Sequence, residues 1–370
     1  MSNDTNNSHE IFKASVPDIR PFANLLRGIC FSNTNQRASM TINNSGFVVF
    51  VEESRVLLGA AWFGRDLFDE FVYSPESEQS GSDNEGEGAS GSTVLSFPLN
   101  ILLECLNIFG TATGSAAGGL AGTRQTWRRP GTGGDSDEED GAEEQGQGKR
   151  QGGQRQRKGA DNNNSRIDNF FPRADGKGTS MRLSYAGEGY PLVLLLAESA
   201  DGPTTVCEIV TYDAEPQLDL PLDNHNINIK CILKSSWLRE ALSEVDPSCE
   251  KITFVGNPEI QSSVRSRGAT QPLLRIQADG LFGSTEMDYP NDKEVLETFE
   301  CASTIAFSYR FSHINKTLKA LHSSSKTSLR IDSEGVLCLQ FLSPSPSPRS
   351  GTQVDSIVDF RCLSIDETVS

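Results

Sequence analysis

Hydrolysis of a phosphodiester by two metal ions needs acidic side chains that converge on sites about 4 Å apart. The chain offers three acidic clusters: Asp66/Asp69/Glu70, Asp219/Asp223 and Glu294/Glu297. Each sits beside a turn signal or on a solvated face, and none forms a recognisable metal-binding set. Gly176-Lys177-Gly178-Thr179 imitates a phosphate loop, but glycine follows the lysine where Ser or Thr is required, and Pro172 precedes it closely. Cys30, Cys105, Cys207, Cys231, Cys249, Cys301, Cys338 and Cys362 include no CxxC or CxH pair. The closely spaced ligand pairs of a structural zinc site are therefore missing. Most of these cysteines lie inside apolar runs and read as buried free thiols in a reducing compartment. His9, His225, His313 and His322 have no Cys or Ser partner pattern. No catalytic residue, metal or cofactor is assigned, and the expected chemistry is binding.

Binding surfaces need a scaffold, and only part of the chain can supply one. Of 370 residues, 36% are hydrophobic and 33 are glycine, which is little apolar material for a chain packed throughout. Two stretches depart from the rest. Residues 75–92 are rich in Ser, Gly and Glu. Residues 110–178 combine glycine runs, an acid block (Asp135 to Glu144), a basic block (Lys149 to Lys158) and three asparagines, Asn162 to Asn164. Neither buries enough apolar surface to offset the entropy of ordering, so both are expected to be disordered insertions. Met1 to Glu10 is polar, with no apolar core of a secretory signal. The longest apolar run, Leu192 to Ala197, is far short of the ~20 residues of a membrane helix. The net charge of −17 argues against nucleic acid as a partner unless the cations are gathered on one face.

Outside the two stretches one unit recurs: an amphipathic helix, then strands, with a tight turn ending in glycine. Helices are expected near Asp18–Cys30, Pro98–Ile108, Ser236–Val245 and Ser312–His322. The first shows Ile19, Phe22, Leu25, Leu26 and Ile29 on one face. Hairpins are expected to turn at Asn43–Gly46, Ala186–Gly189, Asp279-Gly280 and Asp332–Gly335, where glycine suits a positive φ. The first pair of turns lies farther apart than the second pair by almost the combined length of the two low-complexity stretches. Thr179-Ser180-Met181-Arg182-Leu183 also answers Thr327-Ser328-Leu329-Arg330-Ile331. The chain therefore reads as a duplicated α+β fold of two similar domains, each with two helices on antiparallel sheets. The expected divisions are residues 11–212, a linker at 213–226, and residues 227–370.

This plan is that of the PCNA-like DNA sliding clamps, and the text resembles a subunit of the checkpoint, or nine-one-one, clamp. The resemblance rests on Phe12-Lys13-Ala14, the run Leu102 to Gly110, Gly187 to Leu192 and Thr205 to Ile209. It continues in Trp237 to Ala241, Ser243 to Asp246 and Met287-Asp288-Tyr289-Pro290. What the resemblance implies is a nuclear, non-catalytic subunit that joins two sister subunits in a heterotrimeric ring. A clamp loader would place the ring around double-stranded DNA, without regard to sequence, and repair and checkpoint proteins would dock on it. The residues alone leave open a homo- or heterotrimer, a 3'-5' exonuclease, and an adaptor that never encircles DNA.

In such a ring the helices line the hole, and their faces opposite the apolar stripe should carry positive charge. At about 100° per residue those positions are Arg20 and Arg27 on the first helix and Lys316 and Lys319 on the fourth. Arg239 flanks the stripe of the third, and Lys234 precedes it. Ile101 and Glu104 occupy the corresponding face of the second helix, which should contribute little. The resemblance also implies a partner groove near Val51, Val56 and Leu58, capped by Leu218, Leu220 and Leu222 of the linker. Lys149-Arg150, Arg155, Arg157 and Lys158 resemble a nuclear-localisation signal. Asn164, Ile167, Phe170 and Phe171 have the spacing of a peptide that docks on PCNA, with Asn in place of the usual Gln.

Overall fold

The computed structural model describes residues 10–75, 91–110, 178–198, 202–259, 271–346 and 353–365. Nearly all of both low-complexity stretches falls outside these ranges, and so do the basic block and the docking-like peptide from Asn164 to Phe171.

The first amphipathic stretch folds as expected. Strand β1 (Phe12–Val16) leads into helix α1 (Ile19–Gly28), and Asp18 caps the helix by accepting from the Arg20 N–H at 2.9 Å. Ile19, Phe22, Leu25, Leu26 and Ile29 are all buried. Then come β2 (Arg37–Asn43), β3 (Gly46–Glu53), β4 (Leu57–Gly64) and, after a 3₁₀ turn at Arg65–Leu67, β5 (Glu70–Tyr73). A second unit contains β6 (Thr93–Pro98), α2 (Leu99–Leu106), β7 (Ser180–Tyr185), β8 (Leu192–Ala197) and β9 (Thr204–Ile209).

The third unit is β10 (Ile227–Lys234), α3 (Ser235–Glu244), β11 (Lys251–Gly256), β12 (Leu274–Gly280), β13 (Gly283–Tyr289) and β14 (Leu296–Cys301). The fourth is β15 (Ile305–Arg310), α4 (Phe311–Lys316), α5 (Leu318–Ser323), β16 (Lys326–Asp332), β17 (Leu337–Pro346) and β18 (Gln353–Cys362). The single helix expected over Ser312–His322 is two. Buried Thr317 interrupts it, and its hydroxyl donates to the Ile314 carbonyl at 2.8 Å, a back-bond that competes with the helix ladder. The third hairpin turns at Leu281-Phe282, two residues beyond the expected Asp279-Gly280, because β12 stays paired through Gly280↔Gly283.

Strand order repeats between the halves. The first half forms β5-β1-β7-β8-β9 and β4-β3-β2-β6; the second forms β14-β10-β16-β17-β18 and β13-β12-β11-β15. All adjacent pairs are antiparallel. Strand β18 of the second half pairs with β4 of the first, from Ile357↔Trp62 to Cys362↔Leu57, and fuses two of the sheets into one of nine strands. Apolar side chains fill the space between helices and sheets, led in the first half by Phe12, Phe47, Phe63 and Phe68; Phe47 stacks on Phe63 at 4.8 Å.

Gly46 starts β3 with φ +146°, and a Cβ there would collide with the Phe63 carbonyl. A Cβ on Gly64, across the same hairpin, meets nothing within 4 Å. Gly46→Ala should therefore lower stability by about 2 kcal/mol or more through backbone strain and displacement of β4. Gly64→Ala should stay within about 0.5 kcal/mol of the parent. Urea midpoints of the two variants, at unchanged slope, check the contrast.

Candidate functional site

The helices stand in one row, α2 beside α1, α1 beside α5, and α5 beside α3. Close approach of α1 and α5 depends on Gly28, where a Cβ would lie 3.0 Å from the Ala320 Cβ. The expected cations on and beside this row stand in different electrostatic states, with Arg20, Lys234 and Lys319 exposed. Arg20 is exposed, but its guanidinium donates to both Asp18 carboxylate oxygens at 2.7 to 2.9 Å. Those hydrogen bonds and the carboxylate's charge hold its pKa above the usual value. Arg27, half-buried in the last turn of α1, donates to Asn24 Oδ1 at 3.3 Å, and burial lowers its pKa. Lys319 is exposed and reaches from α5 to the Cys30 carbonyl at 2.9 Å, tying the end of α1 to its neighbour. Lys234 is exposed and Arg239 half-buried.

Lys316 does not take the outward position expected of it. Its Nζ lies 2.6 Å from Glu53 Oε1 and 5.9 Å from the Phe31 ring centre, so it faces the end of β3. The break at Thr317 means that a single helical wheel cannot place both Lys316 and Lys319. On α2, Ile101, Glu104 and Ile108 are exposed.

The second surface lies where residues between β9 and β10 cross the sheet. Contacts along its length hold this segment, among them the paired backbone hydrogen bonds of Tyr212 with Ser96. Arg37 pairs with Glu215 at 3.0 Å, and Glu52 accepts from the Leu218 N–H at 3.2 Å. Arg361 donates to the Leu220 carbonyl at 2.8 Å, and Asp332 accepts from the Asp223 N–H at 3.2 Å. Beneath it Leu58, Leu218 and Leu220 line a cleft of about 360 Å³ with Phe50, Ala60, Trp62 and Arg361. Toward Gln36, Arg37 and Glu52 a second, more polar cleft of about 370 Å³ shares Phe50, Leu58 and Gln217 with the first.

Three of the expected groove residues are elsewhere. Val51 is 1% exposed and Val56 packs against the core, while Leu222 lies beyond the residues lining the cleft. Side chains alternate along a strand, so the face that presents Leu58 must present Phe50, Ala60 and Trp62 and turn Val51 inward. The alternation was the signal that finds Phe50, Ala60 and Trp62.

One carboxylate of each acidic cluster has a structural partner. Glu70 pairs with Lys13 at 3.1 Å and Glu297 with Lys326 at 2.9 Å. Asp223 accepts from the His225 N–H and the Asn226 side chain within its own turn. Among the described residues no three His, Cys, Asp or Glu side chains are grouped to hold a metal ion. All eight thiols are free, and burial pushes the pKa of Cys231 and Cys362 up to about 12, as befits small apolar core residues. No helix among the described residues is long and apolar enough to cross a membrane.

Residues 11–343 match the family described as Repair protein Rad1/Rec1/Rad17. The cell cycle checkpoint protein RAD1 of Homo sapiens is 27% identical over 329 residues, covering 89% of this chain and 84% of the human protein. The DNA damage checkpoint control protein rad1 of Schizosaccharomyces pombe is 36% identical over 45% of this chain and 48% of its own. A further relative, 30% identical over 46% of this chain and 41% of its own, is named DNA repair exonuclease REC1, from Mycosarcoma maydis. Among solved structures, PCNA of Thermococcus kodakaraensis superimposes with a TM-score of 0.57 at 14% identity, over 96% of this chain and all of that one. The Proliferating Cellular Nuclear Antigen of Entamoeba histolytica gives 0.55 at 11%, over 96% of this chain and 99% of that one. The fold is that of the PCNA-like clamps.

Proposed function

The chain belongs to the Rad1/Rec1/Rad17 repair-protein family, and from that premise we propose that it is one subunit of a heterotrimeric checkpoint sliding clamp. In this reading the ring encircles duplex DNA in the nucleus, a clamp loader opens it, and checkpoint and repair proteins dock in the cleft beneath residues 213–226.

The observation that carries this reading is the pairing of β18 with β4. Each half has the same strand order, so β9 is the counterpart of β18, and β13 the counterpart of β4. Inside the chain the second half offers β18 to β4 of the first; β9 and β13 are left as sheet edges. An unpaired edge is a template for another chain, and two non-identical edges on one molecule make a head-to-tail contact that can close into a ring. The register follows from the repeat. Leu183 corresponds to Ile331; Leu183 pairs with Leu194 and through it with Cys207, while Ile331 pairs with Leu337 and through it with Cys362. Cys207 thus occupies the place of Cys362. On the other edge Ser96 and Ser308, each three residues before a helix, pair with Ser39 and Thr253, which oppose Phe50 and Gln277. Ala278 therefore matches Val51, Thr285 matches Gly59, and Gly283 takes the place of Leu57. An intermolecular ladder of the β18·β4 kind sets Cys207 against the Gly283 position of a neighbour.

The exonuclease reading has one relative's name in its favour, while Glu70 and Glu297 are held in ion pairs and Asp223 in its own turn. One experiment separates the readings: the full chain, alone and mixed with the two sister clamp subunits, is sized by light scattering and incubated with end-labelled DNA and Mg²⁺. The clamp reading expects a 1:1:1 complex and intact DNA. Degradation that tracks the purified chain, or no complex, would overturn it.

A further inference from the structure

Two large apolar side chains, Leu281 and Phe282, form the tip of the β12–β13 hairpin, and they are 84% and 87% exposed. Nothing else on the outer face of β13 is apolar. Ser284, Glu286 and Asp288 are exposed there, and Arg275 binds Glu286 at 3.0 Å and Asp288 at 2.6 Å. The tip is therefore an isolated apolar projection at the end of a charged edge, where exposed apolar surface marks an interaction site or a hazard.

The internal repeat identifies what belongs against it. Since Gly283 stands where Leu57 stands, Phe282 stands where Val56 does. At the junction inside the chain Val56 is covered: its side chain packs against the core, and its carbonyl accepts the N–H of Leu363, the residue after β18, at 3.0 Å. Counted back from β13, Phe282 holds the Val56 position in a turn of two residues where the β3–β4 turn has three, and among the described residues no such segment covers it. By the same correspondence the missing segment is the residue after the Cys207 position on the edge strand of another subunit. This chain's own edge has an apolar surface at that end, with Val206 and Val210 each 60% exposed.

We propose that Leu281 and Phe282 are an apolar plug that seats on the neighbouring ring subunit at the end of the edge strand of its first half. The proposal rests on the clamp reading and adds to it a residue-level anchor on one side only: the plug belongs to the β13 edge, so it contacts one sister subunit and not the other. Edge-strand hydrogen bonds between polar strands give alignment but little discrimination, whereas a buried aromatic anchor concentrates binding energy at one point. In a ring of non-identical subunits such an anchor also helps to choose which neighbour sits on which side.

The test uses the full chain carrying Leu281→Ser with Phe282→Ser. Both residues are exposed, so the fold should be undisturbed, and circular dichroism with an unchanged melting temperature verifies that. Pairwise affinities for the two purified sister subunits are then measured. The expected result is binding about 30-fold weaker to one sister, about 2 kcal/mol at 1.4 kcal/mol per tenfold, and unchanged binding to the other. A photo-crosslinking phenylalanine analogue at position 282 should give adducts with that same sister, near the end of its first-half edge strand. Unchanged affinity for both sisters, or adducts mapping elsewhere, overturns the plug while leaving the clamp reading in place. Failure of the parent chain to bind either sister overturns both. Self-association of the parent that the double variant loses would assign the tip to a second copy of this chain and overturn the proposal.

Discussion

Val206→Glu combined with Val210→Glu should abolish assembly at the β9 edge, weakening the association there by about 1000-fold. Both side chains are exposed in the isolated chain, so the substitutions should change its own stability by no more than about 0.5 kcal/mol. In a closed ring Val206 lies on the ladder that mirrors β18·β4, at the place of Arg361, and Val210 lies just past its end, at the place of Ile365. Two carboxylates buried at that interface would have to be desolvated without partners, at several kcal/mol together. Light scattering on the mixture should then show a binary complex through β13 and no three-membered ring. Normal assembly of the double variant would mean that β9 is not an interface strand.

Removing or reversing charge along the helix row should weaken retention on DNA tenfold or more at moderate salt and flatten its salt dependence. The substitutions are Arg20→Gln, Arg27→Glu, Arg239→Glu and Lys319→Gln, with glutamine where a carboxylate would oppose Asp18 or the Cys30 carbonyl. Each phosphate contact contributes about 0.9 to the slope of log affinity against log salt. Loss of these cations should lower that slope by about 3, because Arg20 is already partly neutralised by Asp18. Lys316 is left alone: its reversal would set two carboxylates against each other at Glu53 and confuse a binding effect with a folding one. Affinity across a salt series, on rings of verified stoichiometry, is the measurement. An assembled variant ring with parental affinity and slope would show that this row does not meet the DNA.

Local pattern carried much of this architecture. The α1 stripe from Ile19 to Ile29 is buried as its spacing requires. The echo of Thr179–Leu183 in Thr327–Ile331 places two strands, β7 and β16, in equivalent positions. Turns at Asn43–Gly46 and Asp332–Gly335 follow from residues that tolerate positive φ. The readings that went astray needed more than sequence spacing. Val51 was placed in the groove by proximity to Leu58, whereas strand alternation sends it inward. Lys316 was placed on an outward face by assuming one unbroken helix, and the hydroxyl of Thr317 breaks it. The β18·β4 junction leaves no local signature, since it joins strands some 300 residues apart; only the completed strand order reveals which edges remain open. Asn164, Ile167, Phe170 and Phe171 lie outside the described residues, and their docking role stays a proposal of the sequence.

Topology gives the most direct test. The full chain, purified with its two sister subunits, is loaded by the clamp loader onto a singly nicked circular plasmid, washed in high salt, and the DNA is then cut once. A ring that encircles DNA holds by linkage rather than by contact. The account therefore predicts that this chain stays on the closed circle in salt that dissolves electrostatic contacts and leaves when the plasmid is linearised. Equal retention on circular and linear DNA, or loss from both in the wash, would contradict it.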